Sequence, residues 1–188
     1  MAARPLPAIG LRPVSEADFP LMTGWLAQPH VRTFFQKDPI TLGEVAAKYG
    51  PRVRGETPTR CHLALDASGR PFGYLQCYRN LDWPDWAAEI DVADGLGIDL
   101  YIGEPALVGT GYGRAMLGTY VRDIAFPLYP AETRCYIAHA RDNTAALACS
   151  RAVGFRDLGD FVEDGVDMRL LVLERDQASA HPSAGRQA

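Results

Sequence analysis

Leu96-Gly97-Ile98-Asp99-Leu100-Tyr101-Ile102-Gly103 and, four residues on, Val108-Gly109-Thr110-Gly111-Tyr112-Gly113 decide how this chain is read. The first run is apolar apart from one acid, Asp99, and reads as a strand. The second is glycine-rich and opens a stretch, Gly111 to Phe126, with Met116, Leu117, Tyr120, Val121 and Ile124 on one helical face. Between strand and helix, close glycines let backbone N–H groups converge on a phosphate, helped by the positive helix end. The loop lacks the G-K-[ST] ending of a triphosphate-cleaving loop. It is G-x-G-x-G in mid-chain, not the dinucleotide fingerprint G-x-G-x-x-G. A tight turn that happens to be glycine-rich stays open as the alternative.

Upstream, Ile9–Val14 reads as a strand. Ser15 and Asp18 make a capping-box pattern before a helix through Phe19, Leu21, Met22, Trp25 and Leu26. Pro29 starts a short helical piece. Thr41 with Glu44 opens another helix through Val45 and Tyr49, which Gly50-Pro51 is expected to break. Cys61–Asp66 and Phe72–Tyr78 are strand-like and flank a hairpin loop. Downstream, Arg134–Ala138 is a strand, and Asp142 or Asn143 caps a helix ending at Gly154. Phe155–Val162 and Val166–Leu173 close the pattern around Glu163-Asp164-Gly165, a hairpin turn. The order indicates a single α/β (α+β) domain over residues 1–175, with a mixed, mostly antiparallel sheet flanked by helices. Residues 176–188 are polar and aperiodic and read as a disordered tail.

The chain has 188 residues, 47% hydrophobic and 22% charged, with formal net charge −4. That is an ordinary globular composition, and it argues against non-specific nucleic-acid binding, which needs a basic face. No apolar run is long enough to span a bilayer, and Met1–Val14 has no secretory h-region, so a cytoplasmic protein without a membrane partner is expected. Cys61, Cys77, Cys135 and Cys149 form no C-x-x-C pair, and the four histidines are scattered. No metal site is read, and the cysteines are expected to be free buried thiols.

Charge is placed unevenly. Asn80–Gly113 has no Lys or Arg and holds Asp82, Asp85, Glu89, Asp91, Asp94, Asp99 and Glu104, so the stretch carries −7 and the rest of the chain +3. A focused acidic surface steers cations. Trp83 and Trp86 lie among these acids, and a merely solvated loop has no need of two tryptophans. Asp82, Asp85, Glu89 and Asp91 are therefore candidates for binding ammonium and hydroxyl groups, with Trp83 and Trp86 offering ring faces to sugars or cations. His139 is a candidate lining residue of the cleft, and His30 is read as structural or close to substrate. Cys149 has no local histidine to activate it and is read as a helix thiol.

The acid-bearing strand, the glycine loop and helix, the next strand and the Asn143, Ala146, Gly154, Phe155 pattern together resemble the GNAT acetyltransferase superfamily. The resemblance implies acetyl-CoA as cofactor. Its pyrophosphate would lie on the backbone of Val108, Gly109, Thr110, Gly111, Tyr112, Gly113 and Arg114. Its pantetheine arm would add along Leu100, Tyr101 and Ile102, where the sheet splays. Asn143 and Ala146 would line the same cofactor. From about Leu11 to Leu173 the chain is similar to aminoglycoside 6′-N-acetyltransferases, through Trp25-Leu26-Ala27-Gln28-Pro29-His30-Val31, Gly73–Tyr78, the acidic Trp segment and Gly97-Ile98-Asp99. That likeness implies a cationic small-molecule amine as partner, Trp25 and Tyr78 near it, and Asp99 as base or amine-orienting group. Three positions depart from the pattern. Val108 replaces Gln or Arg, Ser150 replaces a tyrosine that protonates the leaving thiolate, and Ala138 replaces a substrate-binding acid. Ser150, Tyr112 or water would then serve the thiolate, whose pKa of about 8.5 makes an obligatory acid unnecessary.

The leading expectation is an acetyltransferase acting by direct transfer on a polycationic amine, an aminoglycoside first, as a monomer or homodimer. A polyamine, a siderophore precursor or a peptide amine is the alternative acceptor. An acyl-CoA-binding module without turnover is the alternative from another class.

Overall fold

A computed structural model describes residues 5–179. Seven strands form one sheet in the order β1-β2-β3-β4-β5-β7-β6. They are β1 (Gly10–Pro13), β2 (Arg60–Leu65), β3 (Pro71–Arg79), β4 (Leu96–Ile102), β5 (Arg134–Ala140), β6 (Arg156–Glu163) and β7 (Val166–Glu174). Every neighbouring pair is antiparallel except β4 with β5. That parallel pair is joined only at Leu96↔Cys135 and Gly97↔Tyr136. From Ile98 onward β4 keeps its β3 neighbour, up to Gly73↔Ile102, and loses its β5 neighbour. The sheet therefore splays at the strand that carries Asp99.

Helices cover both faces, as the apolar character of both sides of β4 demands. On one side α1 (Phe19–Leu26), α2 (Pro29–Arg32) and α3 (Leu42–Val53) bury Met22, Trp25, Leu26, Val31, Val45 and Tyr49 against Leu63, Tyr74 and Tyr101. On the other, α5 (Tyr112–Tyr120) runs through a π-helical turn at Val121–Ala125 into α6 (Phe126–Leu128), and α7 (Thr144–Val153) packs beside it. Met116, Leu117 and Tyr120 of α5 are fully buried with Ile98, Ile137 and Leu171. Each buried aliphatic side chain contributes about 2 kcal/mol.

Local chemistry sets the ends. Thr41 Oγ1 accepts from the Glu44 N–H and Glu44 reaches back to the Thr41 N–H, a complete capping box. Asn143, not Asp142, caps α7 by accepting from the Ala146 N–H at 3.2 Å. Pro51 does not end α3 after Gly50, as expected from sequence, because the helix runs on to Val53 with Pro51 inside it. The acidic segment, read as a loop, contains α4 (Pro84–Glu89). Pro84 at its start and Asp85 in its first turn suit a helix N-terminus. The chain also continues past Arg175 as α8 (Arg175–Ser179), with Ala178 buried, so order extends beyond the expected domain end. The remainder of the expected tail, 180–188, lies outside the described residues.

Candidate active site

Alternation along β4 divides its side chains. Ile98, Leu100 and Ile102 pack toward α5, while Asp99 and Tyr101 face α1 and α3. Where β4 leaves β5 a narrow slot opens, lined by Tyr78, Trp86, Gly97, Asp99, Tyr136 and Ala138. Gly97 is required there. A Cβ at Gly97 would sit 2.4 Å from the Tyr78 ring, which lies directly across from it in the β3–β4 register. Tyr78 thus fills the space a side chain would take and turns its hydroxyl to Asp99.

Asp99 is held by a directed set of hydrogen bonds. Its Oδ2 accepts from Gln76 Nε2 at 2.6 Å. Gln76 Oε1 accepts from Arg52 Nη1 and from the Tyr74 hydroxyl, both at 2.7 Å. Burial pushes the Asp99 carboxyl above its ordinary value, opposed by the Gln76 hydrogen bond and by the charges of Arg52 and Lys48. A carboxylate so raised is a better proton acceptor than an ordinary one.

The acids divide into paired and free. Asp82, expected to meet substrate, is held by Arg79 in a two-pronged contact at 2.7 and 2.8 Å. Asp94 accepts from the Tyr136 hydroxyl at 2.9 Å and lies 3.4 Å from Arg134. The −7 stretch is therefore partly neutralised by bases outside it, Arg79 at its edge and Arg134 from β5. Asp85, Glu89 and Asp91 are exposed, Asp91 in a left-handed turn with φ +52°. Glu163, at the end of β6, was not singled out from the sequence, where it read only as hairpin. Burial raises its carboxyl first, and the neighbouring charges of Glu89 and Asp99 raise it further. It supplies negative charge near Asp99 where Ala138 leaves none.

The aromatic candidates also divide. Trp83 is partly exposed and packs edge-on against Tyr78 at 6.2 Å. Trp86 packs edge-on against Phe161 at 5.9 Å and lines the slot. Trp25, expected near substrate, is instead core. It is 3% exposed, fills the space beside Gly103 and donates from Nε1 to Glu104 at 2.8 Å. His30 is structural, with Nε2 2.9 Å from the Ile102 carbonyl.

The loop after β4 suits a phosphate. Gly109 and Gly111 have φ of +74° and +96°, which turn the chain so that α5 begins with free first-turn N–H groups. Among the described residues no atom lies within 4 Å of where a Gly109 side chain would be. Arg114 Nε, at the same helix end, is buried with no hydrogen-bond partner among the described residues. Thr110 departs from the expected set, because its hydroxyl and its N–H both turn back to the Leu107 carbonyl, at 2.7 and 3.4 Å. Tyr101 departs from the expected set, because its ring is buried against Tyr74 and Phe35 and its backbone faces β3, opposite Tyr74 in the β3–β4 register. Leu100 and Ile102 are half-buried on the α5 side of the unpaired edge.

His139 and Ser150 are brought together. His139 Nε2 lies 2.9 Å from Ser150 Oγ, between β5 and α7. Burial lowers the His139 pKa to about 4, so the imidazole is neutral at pH 7. His139 sits on the opposite side of β5 from Ala138, which lines the slot, and so meets Ser150 instead of the acceptor side. Cys149 is half-buried, and burial raises its thiol to about 11, unsuited to a nucleophile.

A family model described as an acetyltransferase (GNAT) domain matches residues 14–162. The chain belongs to the GNAT acetyltransferase family. It is similar to the crystal structure of the aminoglycoside acetyltransferase AAC(6')-Ib with coenzyme A, at 25% identity and TM-score 0.81, over 92% of this chain and 98% of that one. The same enzyme with coenzyme A and kanamycin matches at 25% identity and TM-score 0.80, over 92% and 98%. A spermidine N-acetyltransferase chimera from Vibrio cholerae and hSSAT shares the fold, at 14% identity and TM-score 0.71, over 92% and 99%. No curated protein matches the sequence. This GNAT chain is an acetyl-CoA-dependent N-acetyltransferase, and the reading as a module without turnover gives way. The splayed strand, the glycine loop and a buried Arg114 Nε with no partner among the described residues fit that cofactor.

Proposed function

We propose that the acceptor is a primary amine of a polycationic small molecule, an aminoglycoside at its 6′-amine first among them. One observation carries this reading. Asp99 lines an aromatic-walled slot, and Glu163 and Glu89, from two other elements, gather beside it, Glu163 within electrostatic reach of both. Carboxylates gathered this way repel each other, and a cation relieves them.

An alkylammonium is no nucleophile until it loses a proton. Asp99 takes that proton directly or through water, and holds the nitrogen toward the splay. When bound, acetyl-CoA supplies the acetyl carbon and leaves as the thiol. As the N–C bond forms and the C–S bond breaks, the second nitrogen proton passes to sulfur and the net proton lost is the one from the ammonium. The unpaired β4 edge offers the N–H groups of Leu100 and Ile102 to the carbonyl oxygen as charge develops on it. Ser150 carries one hydroxyl proton, and it is free for the sulfur only when neutral His139 donates from Nε2. His139 is therefore read as orienting Ser150, and not as binding the acceptor.

The test is thiol release from acetyl-CoA against aminoglycosides, spermidine, spermine and neutral monoamines. Polycations are expected to be used best, with acceptor KM rising with salt, since exposed charges are screened within about 10 Å at 0.1 M. Glu89→Gln and Glu163→Gln are each expected to raise acceptor KM up to about fivefold, the worth of roughly 1 kcal/mol for a partly exposed pair. A monoamine used equally well, without a salt effect on its KM, overturns the cationic-acceptor reading. Preference for spermidine over every aminoglycoside moves the acceptor to the polyamines.

A further inference from the structure

Arg52 lies on α3, far along the chain from the acid that the reaction uses, yet it ends the hydrogen-bond chain that reaches Asp99. The chain is Arg52 to Gln76 to Asp99, with Tyr74 as a second donor to Gln76 and Cys61 Sγ 3.0 Å from the Tyr74 hydroxyl. Gln76 is buried, and its amide has two possible orientations. In the observed one, Oε1 meets two donors and Nε2 faces the carboxylate. In the flipped one, the NH2 would meet a guanidinium, which has only donors, and Oε1 would meet a carboxylate oxygen. Tyr74 does not decide between them, because a hydroxyl donates or accepts by rotation. The Cys61 thiol is equally reversible. Arg52 is the one member whose donor role cannot be reversed.

We propose that Arg52 is a positioning residue: it locks the Gln76 amide with its NH2 toward Asp99, and so keeps that carboxylate ionised and aimed into the slot. This rests on the reading of Asp99 as the group that orients and deprotonates the amine. The groups that face Asp99 are Lys48, Tyr49 and Arg52 of α3, Cys61 of β2, Gln76 and Tyr78 of β3 and Glu163 of β6. Lys48 and Arg52 favour the charged form, and Glu163 opposes it. Both lie over the Tyr49 ring, but Lys48 contacts Gln36 at 3.3 Å, whereas Arg52 is tied to Gln76. Without Arg52 the flipped amide becomes allowed, with Tyr74 turning to accept from it, and that state demands a protonated Asp99.

The experiment is a carboxyl titration of the ligand-free protein by carbon-detected NMR, with the Asp99 signal assigned through Asp99→Asn, beside the pH profile of kcat/KM. Arg52→Gln is expected to raise the Asp99 pKa by about one unit and to move the acid limb of the profile upward by the same amount. Arg52→Lys keeps charge and donor and should restore most of the shift. Gln76→Leu, which removes the amide, should raise the pKa and make it insensitive to Arg52→Gln beyond the bare charge effect. An Asp99 titration unchanged in Arg52→Gln overturns the proposal whatever the activity does. Wild-type kcat in Asp99→Asn overturns the base reading instead, and leaves the titration result to judge Arg52 by itself.

Discussion

One methyl group added at Gly97 tests whether the slot's geometry does what is argued for it. In Gly97→Ala the new Cβ would lie 2.4 Å from Cε2, 2.5 Å from Cζ and 2.8 Å from the hydroxyl of Tyr78. Carbon atoms rest about 3.5 Å apart, so the ring must retreat by about 1 Å. It has little room, being 9% exposed and packed edge-on to Trp83 at 6.2 Å. Overpacking of this kind costs about 1–3 kcal/mol. In a chain of this size each kcal/mol lowers Tm by about 2–4 °C, so a fall of about 2–12 °C is expected by calorimetry. The retreat also carries the Tyr78 hydroxyl away from Asp99, and a 1 Å misplacement at the chemistry costs on the order of a hundredfold in kcat. The KM for acetyl-CoA should hold, because the methyl points toward Tyr78 and not toward the α5 side of the sheet. Adding Tyr78→Leu should return much of the Tm without returning kcat, a coupling that a double-mutant cycle reads directly. Gly97→Ala with wild-type Tm and kcat would refute both the packing argument and the role given to Tyr78.

Asp99→Asn should lower kcat by about a hundredfold or more while leaving Tm near that of the wild type, because neutralising a buried carboxyl costs the fold little; steady-state kinetics beside a melt decide it. Gly111→Val should abolish acetyl-CoA binding in calorimetry, since a branched side chain at φ +96° is strained and crowds the helix end; unchanged affinity in a folded variant removes the loop from the site. Acid should destabilise the protein between pH 6.5 and 4. Burial holds His62 and His139 at about 4, below the unfolded value of about 6.5, so the unfolded chain binds more protons in that window and stability is lost as pH falls through it, on the order of 2–3 kcal/mol per histidine. A Tm that stays flat from pH 7 to pH 4.5, or the same slope in His62→Phe as in the wild type, contradicts this.

The strand and glycine-loop reading was local and legible. Leu96–Ile102 alternates around Asp99, Gly109 and Gly111 take backbone angles that side chains resist, and Thr41 and Asn143 cap the helices after them. The strand Val166–Glu174 and its turn at Asp164-Gly165 followed from the same kind of signal, with Asp164 and Gly165 both at positive φ. Even so, Pro84–Glu89 was missed, because a six-residue helix is too short to show a periodicity and its signals were confined to Pro84 and Asp85 in the first turn.

The acidic segment shows where local reading stops. Its charge was countable from the sequence, but which acids remain free depended on Arg79 and on Arg134, the latter forty positions from Asp94. Trp25 matched a motif and proved to be core, because the glycine that makes room for it is Gly103, on another element. Glu163 looked like hairpin and came to lie near Asp99, and His139 looked like cleft and came to face Ser150. Sequence by itself determined the strands, the longer helices, the glycine loop and the acid on the central strand, since backbone angles and side-chain alternation are set by neighbours along the chain. Tertiary structure decided which charges are paired, which aromatics face the slot and which donor fixes Gln76, since hydrogen bonds and ion pairs depend on distances between strands that sequence separation does not encode.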